Sequence, residues 1–168
     1  MKYEILREDA IDFEGATLYR IRNEKTGELG GYIESEHNLS RYGKCWVNDN
    51  AIVFGNAQIS GDAQICDYAQ VYGHARVSDN AKISGDAQVY GYAEVYDKAI
   101  VTNDAQVHGD AKIYGSACIC GVSDIYDYAR VKDAKLSGCE INAHASIQGD
   151  ILLEGIHIAH CTGFIEPK

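Results

Sequence analysis

Proline is all but missing from this sequence: one residue, Pro167, stands among 168. Proline removes a ladder donor, so nothing before position 167 interrupts a continuous hydrogen-bonded sheet on that account. Positive charge is also scarce, with 15 Lys and Arg against 25 Asp and Glu and a formal net charge of −10. Affinity for nucleic acid depends on Lys and Arg displacing counterions from phosphates, so the balance argues against a duplex binder. The acidic surface reads first as a means of solubility. Long apolar runs are lacking too, and none approaches the ~20 residues of a membrane-spanning helix. The polar stretch Met1 to Ala10 has no apolar signal region. Six cysteines are present, without the paired spacing of zinc ligands. They read as reduced thiols of a cytoplasmic protein, and neither metal nor cofactor is expected.

Glycine, by contrast, is frequent, with 17 residues, and a repeat explains it. Aliphatic residues fall at every sixth position from Val47 through Val71, Val89 and Val107 to Val131. Two positions before each stands a small residue, from Cys45 and Ala51 to Ala129, with Ser123 the one serine. Two positions after each stands Gly, Asp or Asn, from Asp49 to Asp127. Small-x-aliphatic has period two, which puts both residues on one side of a short strand. Val and Ile are stiff at χ1 and pack well on a pleated surface. Gly, Asn and Asp best tolerate the positive φ of a tight corner. A helix is excluded, because period six does not match 3.6 and a glycine or its substitute in each repeat would be costly. Short strands turning always the same way make a coil, with like columns stacked about 4.8 Å apart.

The phrase NAQISGDAQI, Asn56 to Ile65, resembles the hexapeptide repeat of left-handed parallel β-helix proteins. The resemblance implies a left-handed triangular coil of three hexapeptides. The lead-in GELGGYIESEHNLSRYGKCWVNDNA, Gly27 to Ala51, and the later ASIQGDILLEG, Ala145 to Gly155, are similar to uncharacterised hexapeptide-repeat proteins of phages, prophages and enterobacteria. There a Leu-Gly-Gly-Tyr turn precedes the coil. The expected architecture is therefore all-β: a small N-terminal β cap over residues 1–44, then a parallel β-helix over 45–168. Regular hexapeptides fill 45–133; irregular coils fill 134–168, where the spacing slips through Leu136, Ile141, Ile147, Leu153 and Ile158. In the cap, Lys2–Leu6 and Thr17–Arg22 have strand character and Glu24–Gly31 holds the turn signals.

With three strands to a coil, residues eighteen apart share a column. One face then carries Phe54, Tyr72, Tyr90, His108 and Tyr126, beside Ile52, Gln70, Gln88, Gln106 and Asp124, with His74, Tyr92 and Tyr128 at its corner. Contiguous exposed aromatics usually mark an interaction surface. Tyr72, Tyr90, His108, Tyr126, Gln70, Gln88, Gln106, His74 and Tyr92 are accordingly the candidate binding residues. The second face is mixed, with Arg76, Glu94, Lys112 and Arg130, and the third carries Cys118 and Cys120.

Many hexapeptide proteins are acyltransferases that use a histidine base and an acyl-CoA cleft. His108 and His74 are the candidates for that chemistry, although no loop insertion interrupts 45–133. A zinc enzyme would need three convergent histidines, and His74 and His108 lie nearly two coils apart. His157 and His160 fall in the tail. The expected function is a non-catalytic phage-type binding or scaffold protein in the host cytoplasm. It would be homotrimeric, as the resemblance implies, and sequester a host protein or a small nucleotide. The alternative is a hexapeptide-repeat acyltransferase.

Overall fold

The computed structural model describes residues 2–158 and 164–165. Three antiparallel strands come first, β1 (Tyr3–Phe13), β2 (Ala16–Asn23) and β3 (Leu29–Ile33). Twenty-one strands of two or three residues follow among the described residues, from Trp46–Val47 to Phe164–Ile165. They stack as three walls, each with seven parallel rungs, and β1–β3 extend the first wall to a ten-stranded sheet. The chain is a parallel β-solenoid.

Register confirms three hexapeptides per coil. On the first wall Gln70, Gln88 and Gln106 pair in sequence, each eighteen positions from the last. On the second, Gln58, Arg76, Glu94 and Lys112 do the same, and on the third, Gln64, Lys82, Ile100 and Cys118. Every member of the aliphatic column from Val47 to Val131 is buried, as is every small residue from Cys45 to Ala129. Full burial stabilises each Val or Ile by about 1.5–3 kcal/mol, so the column is the main source of stability. Beyond Val131 the coil shortens: Val131 pairs with Ile147, sixteen positions on, and Leu136 with Leu153, seventeen on.

The corner column has positive φ at every position from Asp49 to Asp133, between 54° and 71°. Aspartate does more there than tolerate the conformation. The Asp67 carboxylate accepts from Gly85 N–H at 2.9 Å, and Asp97 from Gly115 N–H at 3.0 Å, each one coil further on. An otherwise solvent-facing amide thus gains a charged acceptor. This accounts for part of the acidic excess.

The cap differs from the expectation in two places. β1 runs on to Phe13 and turns through Glu14–Gly15, where both residues have positive φ, 48° and 84°. That is the backbone twist a two-residue hairpin requires. Second, Leu29–Gly31 is strand, not turn. Its glycines serve close approach: a Cβ on Gly30 would sit 2.5 Å from the Val47 carbonyl oxygen, and one on Gly31 2.3 Å from that of Ala51. β3 can therefore lie on the coil, with Tyr32 paired to Ile52 and Ile33 to Val53.

A single 3₁₀ turn, Glu36–Asn38, follows. The buried Asn38 amide donates to the Gly55 and Ala57 carbonyls, both at 3.0 Å, and so fastens the turn to the coil. Beneath it Tyr3 is fully buried, meets Trp46 edge-on at 6.4 Å and donates its hydroxyl to the Leu39 carbonyl at 2.7 Å. Burial pushes this phenol up to about 12.

Candidate functional site

The first wall bears a continuous ring ladder. Centroids are 5.0 Å apart for Phe54–Tyr72, 4.9 Å for Tyr72–Tyr90, 4.6 Å for Tyr90–His108 and 5.1 Å for His108–Tyr126. Interplanar angles are 12° or less. The ring spacing follows the rise between coils, so identical placement on successive rungs stacks the rings without further adjustment. Phe13 from β1 closes the start of the ladder, edge-on to Phe54 at 5.7 Å.

The ring tips are bound diagonally to the next coil. Tyr72 donates to Gln88 Oε1 and Tyr90 to Gln106 Oε1, both at 3.3 Å. His108 Nε2 lies 2.9 Å from Asp124 Oδ1, and Tyr126 donates to Glu140 at 2.8 Å. Asn142 Nδ2 donates to the Tyr126 hydroxyl at 2.6 Å. Desolvation raises the phenols of Tyr72 and Tyr90 above their ordinary value. Inside the ladder, ring faces are covered by neighbouring rings, so only edges and tips look outward.

Tyr72, Tyr90, His108 and Tyr126 are thus brought together with Gln88 and Gln106; Gln70 lies on the same wall. His74 and Tyr92 are not part of that surface. They sit around the corner, exposed, and stack on each other at 4.7 Å and 7°. The pair lines a groove of about 480 Å³ shared with the second wall, where Gln58, Arg76, Glu94 and Lys112 form the floor. His37, from the 3₁₀ turn, joins it and lies 3.0 Å from Gln58 Nε2. Lys112 Nζ is 2.6 Å from Glu94 Oε2.

The two candidate histidines therefore have different surroundings. His108 is sandwiched between two tyrosines with one nitrogen held by Asp124, which commits it to the ladder. His74 has one ring face covered by Tyr92 and borders open space. The repeat accounts for the corner and second-wall residues of the groove; only His37, from a segment outside it, was not evident from the sequence.

Cys118 and Cys120 point outward from one strand and are half-buried. Burial raises the Cys118 and Cys66 thiols, away from the reactive thiolate. Among the described residues the five cysteines are free, and no three His, Cys, Asp or Glu side chains gather as a metal-ligand set. His160 lies outside the described residues. No described helix is long and apolar enough to cross a membrane.

Comparison with known proteins adds two findings. The family model YdcK Beta solenoid repeat matches residues 69–85, which is nearly one complete coil from Ala69 to Gly85. A stretch of 40 residues, 23% of this chain, is 50% identical to the protein called "Uncharacterized acetyltransferase YdcK" in Escherichia coli strain K12. The match takes in 12% of that protein's length.

Proposed function

We propose that this hexapeptide-repeat β-solenoid, which shares the YdcK solenoid repeat, is a non-catalytic binding scaffold of phage or prophage type that assembles through its aromatic wall as a homotrimer. The ladder from Tyr72 to Tyr126 carries the reading. It is contiguous and half-buried, and its tips are already hydrogen-bonded within the chain. Covering such a surface with a second copy strands few polar groups and orders few side chains. Covered ring faces disfavour a nucleobase stacked along the ladder, and what meets the ring edges in this reading is a second copy of the chain. A host protein held on the walls that the trimer leaves open fits this better than a small nucleotide stacked on the ladder.

Sedimentation at micromolar concentration is expected to give a trimer, and Tyr90→Glu a monomer with unchanged secondary structure. A monomeric wild type sinks the proposal, and a trimeric Tyr90→Glu protein moves the interface off the ladder.

The second reading is an acyltransferase with His74 as general base. It is favoured by that histidine's place at the groove and by the name of the partial relative. With acetyl-CoA and an amine or hydroxyl acceptor, no thiol release above the blank is expected. Turnover that vanishes in His74→Ala would replace the scaffold with the enzyme.

A further inference from the structure

The corner groove gathers charges of both signs. Lys112 and Glu94 neutralise each other across one rung at 2.6 Å. Once that pair is set aside, the lining holds one cation and one anion with no ion-pair partner among the described residues, Arg76 and Asp110. Both side chains are exposed. Arg76 follows His74 on one coil, whereas Asp110 lies two coils on, in the corner column of His74 and Tyr92. The stacked His74–Tyr92 pair stands along this path, with the Asn56 amide at the near end.

We infer that the groove binds a small zwitterion, its carboxylate on Arg76 and its ammonium on Asp110. The coil rise of about 4.8 Å puts these groups about 10 Å apart along the axis. An extended tripeptide, at about 3.3–3.6 Å per residue, has this reach. A guanidinium offers a planar fork suited to a carboxylate. The chain's net charge of −10 works against a phosphate dianion, whereas a zwitterion brings no net charge and meets no overall repulsion. Between those two ends the backbone amides of such a ligand have the Tyr92 hydroxyl and the Glu94 carboxylate to bond with. This site is separate from the aromatic wall and does not depend on how copies assemble.

The test is calorimetric titration of the full chain at low salt with triglycine, N-acetyltriglycine and triglycine amide. Triglycine is expected to bind, and blocking either end to weaken it about tenfold, as expected for loss of one charged partner. Arg76→Ala is expected to bring the same loss and to make amidation silent; Asp110→Asn is expected to make acetylation silent. Arg76→Lys retains the charge without the fork and should fall between wild type and alanine. Absence of triglycine binding overturns the inference. So does binding that both variants leave unchanged, or binding to which only one ligand terminus matters.

Discussion

Ile113→Ala is expected to lower the unfolding free energy by about 2–5 kcal/mol, the range for truncating a fully buried isoleucine. Denaturant titration followed by circular dichroism is the measurement. Ile113 is fully buried on the second wall and pairs with Val95 below and Val131 above. A cavity there has little means of collapsing. The walls are tied by hydrogen bonds at a fixed rise, so neighbouring rungs cannot move in to fill it. Because coils contact only their neighbours, a mid-stack lesion weakens two interfaces, while a lesion near the end weakens fewer. Leu153→Ala is the comparison: its side chain is half-buried, in the last described rung of the third wall. It should cost about 1 kcal/mol or less, since less apolar area is removed from contact. Equal losses at the two positions would deny that the column forms one continuous core.

How much of this was legible beforehand follows from which interactions are periodic. Val47 to Val131, their alanine partners and the positive-φ corners all recur every six residues, so the sequence shows them directly. The ladder followed as a consequence, because a register of eighteen puts Tyr72, Tyr90 and His108 above one another. Contacts that cross the period were not visible. The Tyr90–Gln106 bond spans sixteen positions and depends on the slant of side chains across a rung. The Asp67 carboxylate is also an acceptor for the next coil, whereas residue type alone suggests only conformational tolerance. Gly30 and Gly31 look like turn residues until the neighbouring coil is present to show why no Cβ fits. The groove needs His37 brought beside a corner column and the second wall by β3 and Asn38. No local pattern encodes such a meeting.

Gly91→Val is expected to destabilise the chain by about 2–5 kcal/mol, the sum of two separable effects. The first is conformational: φ at Gly91 is +69°, a region that a β-branched residue adopts only with strain. The second is steric: a Cβ would lie 2.9 Å from the Gly109 amide nitrogen and 3.0 Å from its carbonyl oxygen, both backbone atoms of the next coil. Two further variants divide the total. Gly91→Asn retains a residue tolerant of positive φ and isolates the clash. Gly138→Val isolates the strain, because φ there is +60° and nothing lies within 4 Å of its Cβ. Each is expected to cost less than Gly91→Val, and thermal or denaturant unfolding of the three variants gives the division. A Gly91→Val protein as stable as wild type would mean that the coils are not packed at this spacing. Gly91 also immediately precedes Tyr92, so the same change is expected to disturb the ring that lines the groove. Loss of triglycine binding in Gly91→Asn, despite a folded coil, would connect corner geometry to recognition.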